Sequence, residues 1–168
     1  MRPASLVLLL SMAVGFAGCS RGPSSLTSDD EIQVGNDTVL ECKLEVRHDE
    51  SGIFATVIFK NPTDHPERVL KVVLLDEEPL LTVPFDVTKD GKMIVYTGGM
   101  ASRLPPTKDD WRILKPGETF VRTIRVNDYY DLSAPGEYQI VCERLYEQSP
   151  PGKFATVKSN EVTFTVFK

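Results

Sequence analysis

A strand that begins at a Pro-Gly turn constrains the fold of this chain more than any other feature of its sequence. The turn is Ser133-Ala134-Pro135-Gly136, in which proline fixes its own φ and glycine accepts the positive φ that other residues avoid. Residues 136–146 follow with the two-residue alternation of a half-buried strand. The side chains on its apolar face are Tyr138, Ile140 and Cys142. The segment therefore predicts a buried strand late in the chain, with a tyrosine close to its first turn.

The other predicted strands are short, and turn signals separate them. Residues 39–47 and 53–60 alternate apolar and polar side chains and predict an opening hairpin with a loop at 48–52. Residues 69–75 are nearly all apolar, which is typical of a strand covered on both sides. Prolines and glycines predict loops at 61–66 and 97–110. The remaining strands are predicted at 85–96, folded back at Asp90-Gly91, at 111–114 and 120–126, around Pro116-Gly117, and at 161–167.

This pattern predicts an all-β fold. No window of about 11 residues has the period of an amphipathic helix. A tyrosine two residues past a Pro-Gly turn, as at Tyr138, is typical of the corner of an immunoglobulin-like sandwich. We therefore expect an immunoglobulin-like antiparallel β-sandwich of about 7 to 9 strands. It forms a single domain at residues 38–168.

The first residues predict export and lipid attachment. Residues 1–18 combine Arg2, an apolar run at 6–16 and a small-residue cleavage site, and they predict a signal peptide. The apolar run is shorter than the roughly 20 residues that cross a bilayer. Phe16-Ala17-Gly18-Cys19 resembles the bacterial lipobox, which implies that Cys19 is acylated, as by palmitate, and becomes the mature N-terminus. The alternative is an ordinary secretory signal that leaves Cys19 as a free thiol.

The segment behind this cysteine predicts a tether. Residues 19–37 are mostly polar, with several serines, two glycines and a proline, and they predict a flexible linker between lipid and domain. Ser20 stands where an aspartate would favour inner-membrane retention, so the resemblance to lipoproteins implies the outer membrane. We therefore expect a bacterial cell envelope protein, lipid-anchored at Cys19, in the periplasm or at the surface.

The charge balance excludes one class of partner. The formal net charge is −5, from 19 basic and 24 acidic residues. Nucleic acid binding needs a basic stripe that neutralises phosphates, and the sequence has none. No nucleic acid partner is therefore expected.

Two cysteines remain if Cys19 carries lipid. Cys42 lies on the apolar face of the first predicted strand, and Cys142 lies on the apolar face of the strand after the Pro-Gly turn. The envelope is an oxidising compartment, and early and late strands of a sandwich meet, so a disulfide between them is reasonable. It would close a loop of about 100 residues. The alternative is two separate buried thiols that act as small apolar side chains.

The search for catalytic or metal chemistry gives no candidate. His48 and His65 both fall in predicted polar loops and are too few for a zinc site. No Gly-x-Ser-x-Gly elbow is present for a serine nucleophile. The acids at 76–78 and Asp109-Asp110 lack the spacing of a calcium loop and are read as solvated. We expect no enzyme activity, no cofactor and no metal.

A succession of short motifs runs through the chain. The motifs are Asn61-Pro62-Thr63, residues 85–92, Pro105-Pro106-Thr107, Leu114-Lys115-Pro116-Gly117-Glu118, Pro135-Gly136-Glu137-Tyr138 and Ser159-Asn160-Glu161-Val162. This succession resembles the immunoglobulin-like β-sandwich that precedes the catalytic domain in bacterial deuterolysin, or peptidyl-Lys, metallopeptidases. The resemblance covers nearly all of the chain from about residue 40, and the zinc-binding catalytic domain has no counterpart in it. It therefore implies the accessory fold without the activity.

Two classes of function follow from these observations. In the first, the chain is a membrane-anchored, non-catalytic lipoprotein whose domain binds a protein or another component of the envelope. In the second, it is a proteinase inhibitor or a peptidase-associated module that acts on a separately encoded protease. The candidate interaction loop joins residue types that are enriched at binding hot spots, although Trp111 also fits a core position. The residues of this loop that we single out are Met100, Arg103, Leu104 and Trp111.

Overall fold

The computed structural model describes residues 34–35, 40–147 and 154–167. All of them belong to one compact unit at Ile32–Lys168. The predicted signal peptide, Cys19 and most of the predicted linker lie outside the described residues. Two residues of the predicted linker form a short strand, Val34–Gly35 (β1), which pairs in parallel with Phe154 and Ala155.

The described residues form twelve strands and two single 3₁₀ turns, at Lys108–Asp110 and Val126–Asp128. The prediction of an all-β fold built from antiparallel sheets is confirmed. After β1 the strands are β2 (Glu41–Asp49), β3 (Gly52–Lys60), β4 (Glu67–Leu70), β5 (Asp86–Lys89), β6 (Lys92–Met93), β7 (Trp111–Leu114), β8 (Thr119–Arg125), β9 (Gly136–Val141), β10 (Glu143–Glu147), β11 (Phe154–Lys158) and β12 (Val162–Val166).

The opening hairpin forms one sheet with β8. β2 and β3 pair along their whole length, and β8 pairs with the other edge of β3. Leu44, Ala55, Val57 and Phe59 are buried on the inner face, as the alternation predicts. The predicted five-residue loop is shorter in the structure, because both strands continue until only residues 50 and 51 separate them.

A second sheet has the strand order β12-β9-β5-β6. β5 and β6 form the predicted hairpin, and Asp90 and Gly91 both have positive φ, 51° and 73°, as a tight primed turn requires. β9 is the central strand, and it buries Tyr138 and Ile140. The inner faces of the two sheets contribute to one hydrophobic core.

The strand predicted at 136–146 is interrupted by a bulge. β9 pairs with β12, and β10 pairs with β11. Between these ladders, residues 141–142 of one side face residues 159–161 of the other, so one side has an extra residue. β11 is the second side of this long hairpin, and no strand was predicted there from the sequence.

The apolar run at 69–75 is only partly a strand, so the prediction for it was wrong. β4 ends at Leu70, and the chain turns there because the amides of Val73 and Leu74 donate to the Leu70 carbonyl. Residues 73–75 are buried, and Leu75 has a φ of 58°. These residues are apolar because the turn is buried. A run of apolar residues looks the same in the sequence whether it forms a buried turn or a strand covered on both sides.

The predicted corner around Tyr138 is present. The Tyr138 side chain is 1% exposed, and its hydroxyl donates to the Ala134 carbonyl oxygen at 2.6 Å. Its ring stacks on that of Phe164 in β12 at a centroid distance of 5.6 Å. The tyrosine therefore fixes the Pro-Gly turn to the second sheet.

Candidate functional site

A groove lies between two loops that the sheets hold apart. Its volume is about 930 Å³, which is within the size range of ligand sites, and its walls are mainly apolar. One wall comes from the turn after β4 and the segment that follows it, and the other comes from the loop before β7. We call this feature the loop groove. It is lined by Leu70, Lys71, Val72, Glu77, Glu78, Pro79, Leu81, residues 101–107, Asp109 and Asp110.

A cluster of tyrosines holds the start of the loop at 97–110. Tyr96 stacks on Tyr129 at 6.0 Å and meets the edge of Tyr130 at 5.6 Å. The Tyr130 hydroxyl donates to the Phe85 carbonyl oxygen, and burial raises the pKa of this phenol. The amide of Thr97 donates to the Tyr129 carbonyl oxygen at 2.8 Å. The loop therefore starts from a rigid base.

Gly98 is required at this base. A Cβ atom built there would lie 2.3 Å from the Tyr96 hydroxyl oxygen and 2.7 Å from a ring carbon of Tyr129. Only a residue without a side chain allows the backbone to run so close to the two rings. The Gly98-Gly99 pair thus serves loop packing, and the Tyr96 hydroxyl donates to the Gly99 carbonyl oxygen at 3.0 Å.

The far end of the same loop is closed by a small cap. Asp110 accepts hydrogen bonds from the amide and the hydroxyl of Thr107, each at 2.7 Å. These bonds lower the pKa of the Asp110 carboxyl, with the Thr107 hydroxyl as the largest cause. Asp110 and Thr107 are both groove residues, so the cap also shapes the groove wall.

Three consecutive acids on the opposite wall are each paired with an arginine. Asp76 binds Arg112 of β7 at 2.9 Å, and Glu78 binds Arg122 of β8. Glu77 accepts two bonds from Arg103, at 2.7 and 2.5 Å, which is the bidentate geometry that arginine favours. The interpretation of these acids as solvated is therefore wrong for Asp76 and Glu77, which are 26% and 22% exposed, whereas the Glu78 side chain is 74% exposed.

The pair between Glu77 and Arg103 joins the two walls of the groove. Arg103 belongs to the loop at 97–110, and Glu77 belongs to the opposite segment. The Arg103 side chain is 40% exposed and the Glu77 side chain 22%, so solvent still reaches the pair. Such a pair positions the walls relative to one another but adds little to stability.

A further arginine lies behind this wall. Arg144 of β10 donates to the carbonyl oxygens of Val83 and Val72 and to the Thr82 hydroxyl, at 2.5, 3.2 and 3.2 Å. Burial lowers the pKa of its guanidinium. It holds residues 72 and 83, on either side of the 76–81 segment, to β10. No sequence signal pointed to this residue.

A buried asparagine supports the β7 end of the site. Asn61 is 0% exposed, and its amide nitrogen donates to the carbonyl oxygens of His65 and Leu114 at 2.8 and 3.0 Å. Its side-chain oxygen accepts from the amide and the hydroxyl of Thr63. The sequence places Asn61 in a loop before two prolines, and only the structure shows that it ties this loop to the end of β7.

The four predicted loop residues have different environments. Leu104 is 88% exposed and lines the groove, and Arg103 also lines it. Met100 is 75% exposed but does not line the groove. Trp111 is half-buried at the first position of β7, where the Arg68 guanidinium lies 4.0 Å above its ring. The structure thus brings two of the four residues together in the groove.

The groove carries more acidic than basic side chains. Its lining carboxylates are Glu77, Glu78, Asp109 and Asp110, against the cations Lys71 and Arg103. The chain as a whole has the same sign, with a net charge of −5. Apolar walls with an acidic rim can hold an apolar side chain and attract a neighbouring positive charge.

The histidines are exposed and separate from the groove. His48 lies near the end of β2, not in a loop as predicted, because β2 continues to Asp49. His65 binds Asp64 at 3.1 Å and the buried Glu67 at 2.7 Å. In the described part of the chain, no three His, Cys, Asp or Glu side chains lie close enough together to hold a metal ion.

One predicted feature near the start of the chain falls outside the structure's description. Cys19, the predicted lipidation site, lies outside the described residues. In the ranges that are described, no helix is long and apolar enough to cross a bilayer.

The comparisons with known proteins give one partial similarity. No protein-family model matches the chain. The chain is 35% identical over 82 residues to a curated protein from Aeromonas hydrophila described as an extracellular protease. These residues are 48% of this chain and 22% of the protease, so the chain spans about a fifth of the length of that relative. The similarity therefore relates a region of this chain to part of a protease.

Proposed function

We propose that this chain is a non-catalytic binding protein whose loop groove holds an extended polypeptide segment of a partner. The observation that carries the proposal is the groove itself, with a volume of about 930 Å³ between two braced loops. Its walls are set before a partner arrives, by the tyrosine base, the Thr107–Asp110 cap and the Glu77–Arg103 pair. Binding to such a preformed site costs little ordering of the loops.

The chemistry of the groove favours a segment with an apolar side chain next to a basic one. Leu104 and Leu81 expose apolar surface at the groove, and Pro105 and Pro106 add rigid walls. Asp109 supplies negative charge beside them, whereas Glu78 is already paired with Arg122. A lysine or arginine in the partner would meet this charge, while its apolar neighbour fills the groove.

The proposal includes a membrane anchor in a bacterial cell envelope. The lipobox-like residues that end in Cys19 support acylation there, and the polar segment that follows supports a tether. Growth with radiolabelled palmitate should label the natural chain and not Cys19→Ser. Equal labelling of both would contradict the anchor and leave the groove proposal untouched.

A peptide library tests the groove. We would pan a phage-displayed library of random peptides on the mature chain carrying Cys19→Ser, and measure the affinity of selected peptides by calorimetry. The expected peptides combine an apolar residue with lysine or arginine. Leu104→Ser should weaken binding by roughly 5- to 30-fold, the loss typical of an interface residue worth about 1 to 2 kcal/mol.

Val95 provides the matched control for this experiment. Its side chain is 77% exposed, close to the 88% of Leu104, but it does not line the groove. Val95→Ser should leave the affinity unchanged. Equal losses in both variants, or enrichment of no peptide, would contradict the proposed site.

A second candidate function rests on the partial similarity to a protease. Because 48% of this chain resembles part of an extracellular protease, the partner could itself be a separately encoded protease. The chain would then act as an inhibitor or as a peptidase-associated module. Casein hydrolysis by extracellular proteases of the native host, measured with increasing amounts of the chain, separates the candidates. A saturable fall that Leu104→Ser reverses favours the second candidate, and no change favours the first.

A further inference from the structure

Two cysteines from distant parts of the chain pack on the same hydrophobic core near the hairpin bulge, and neither lines the loop groove. Cys42 lies in β2 and is half-buried, and Cys142 is 0% exposed between β9 and β10. Both are unbridged in the structure. Each packs against the hydrophobic core.

Hydrogen bonds around the bulge hold the two cysteines in place. The amide of Ser159 donates to the Cys142 carbonyl oxygen at 2.9 Å, and the amide of Cys142 donates to the Ser159 hydroxyl at 3.0 Å. The next residue, Asn160, bonds both backbone groups of Leu44, at 2.9 and 3.0 Å. Leu44 is two positions from Cys42 and so lies on the same face of β2. The bulge therefore holds Cys142 next to the part of β2 that carries Cys42.

We propose that Cys42 and Cys142 form a structural disulfide when the chain matures in an oxidising compartment. The geometry that supports it is the set of hydrogen bonds that joins Cys142 to Ser159 and the adjacent Asn160 to Leu44 of β2, two positions from Cys42. Oxidised pairs persist in secreted and periplasmic proteins, the setting that the predicted signal peptide implies.

The bond forms by exchange with an oxidised dithiol carrier protein. Before β2 packs against the bulge, Cys42 attacks the carrier disulfide as its thiolate and forms a mixed disulfide, and one carrier sulfur leaves and takes up the proton that Cys42 lost. Cys142 then attacks the Cys42 sulfur as its thiolate, so the second carrier sulfur leaves as a thiol. The chain loses two hydrogens in total, and the carrier is reduced to a dithiol.

The electrostatics of the pair assist the second step. In the reduced pair a hydrogen bond from Cys42 is the largest cause that lowers the pKa of Cys142, and the nearby Arg144 guanidinium lowers it further. In the mixed disulfide Cys42 has no hydrogen to donate, so the Arg144 guanidinium is the part that assists the second step. The same hydrogen bond, together with burial, raises the pKa of Cys42. Cys142 is therefore the thiol that ionises first when the two are in contact.

The consequence of the bond is a covalent joint between the first long strand and the last hairpin. β2 follows directly on the segment that is predicted to lead to the membrane anchor. A bond from this strand to residue 142 would close a loop of about 100 residues and restrict the unfolded chain. Reduction should therefore lower the melting temperature of the natural chain by roughly 10 to 20 °C.

Peptide mapping tests the proposal directly. The full chain, expressed with its own leader in a bacterial envelope, is blocked with iodoacetamide under denaturing conditions without reductant and is then digested with trypsin. The expected product joins residues 22–43 to residues 126–144, with two hydrogens fewer than the sum of the two peptides. Recovery of both peptides alkylated would overturn the proposal, as would a bond from either peptide to Cys19.

Variants separate the bond from the packing of the thiols. Cys42→Ser, Cys142→Ser and the double variant should each melt near the temperature of the reduced natural chain, and added reductant should change none of them. If the disulfide forms, the melting temperature of the double variant should fall no further than that of the less stable single variant, because replacing either cysteine already removes the disulfide. A natural chain whose melting temperature does not respond to reductant would overturn the proposal.

Discussion

Tyr138 gives the sharpest prediction for the stability of this fold. Its side chain is 1% exposed, so Tyr138→Ala removes a fully buried ring and the stacking on Phe164 at 5.6 Å. Replacing a buried aromatic side chain by alanine typically costs about 3 to 5 kcal/mol. Since domains of this size are stable by roughly 5 to 15 kcal/mol, this loss takes a large share of the total.

Tyr138→Phe isolates the corner hydrogen bond from the packing of the ring. It removes only the hydroxyl that donates to the Ala134 carbonyl oxygen at 2.6 Å. A hydrogen bond of this kind contributes about 1 kcal/mol net. We therefore expect a loss of about 1 to 1.5 kcal/mol, clearly smaller than that of the alanine variant.

Urea unfolding followed by far-ultraviolet circular dichroism measures both losses. All samples contain reductant, so that bonding between the cysteines does not contribute. Tyr129→Phe is the control, because Tyr129 packs through its ring on Tyr96, and it should change the free energy of unfolding by less than about 0.5 kcal/mol. A Tyr138→Phe protein as stable as the natural one, with a Tyr138→Ala loss below about 2 kcal/mol, would refute the corner argument.

Three further predictions concern single side chains. Asn61→Ala should cost about 3 to 4 kcal/mol in urea unfolding, because it removes the side-chain hydrogen bonds to the His65, Leu114 and Lys115 carbonyl oxygens and the acceptor of the Thr63 amide; a loss under about 1 kcal/mol contradicts this. Leu104→Ser should change stability by less than about 0.5 kcal/mol, since the side chain is 88% exposed, and a larger loss would make Leu104 a core residue. The hydrogen bond to Asp64 raises the pKa of His65 in the folded chain above the value of about 6.5 in the unfolded chain. The stability that protonated His65 contributes is therefore fully present below pH about 6.5, and it is lost as the pH rises through the higher pKa of the folded chain. Proton NMR should show that this pKa falls in Asp64→Asn, and an unchanged pKa would exclude the pair.

Local patterns were enough to predict the regular parts of the fold. Period-two alternation located the β2–β3 hairpin, and Asp90-Gly91 located the turn between β5 and β6, because these signals act between neighbouring residues. The alternation also placed Cys42 and Cys142 on buried or half-buried faces.

The rest depends on contacts between distant residues. Residues 73–75 are apolar because the turn to which they belong is buried, which the period of the sequence does not reveal. The bulge at Cys142 and the strand β11 follow from the pairing of two segments across a hairpin, not from the pattern of either one. Some strands also pair with strands that are far from them in the sequence, since β7 pairs with β4 and β8 pairs with β3.

The site was predicted in part. The loop at 97–110 was identified by its composition, and Arg103 and Leu104 do line the groove. The opposite wall of the groove was not predicted, because the acids at 76–78 pair with arginines that lie 26 to 44 residues away in the chain. A run of acids in sequence carries no sign of such pairing.

The most direct test of the central claim is the affinity of one selected peptide for three forms of the mature chain. These are the Cys19→Ser protein itself and the same protein with Leu104→Ser or Val95→Ser. The account predicts roughly 5- to 30-fold weaker binding for Leu104→Ser and natural affinity for Val95→Ser. Natural affinity for Leu104→Ser, or an equal loss in both variants, would show that the groove between the loops is not the binding site.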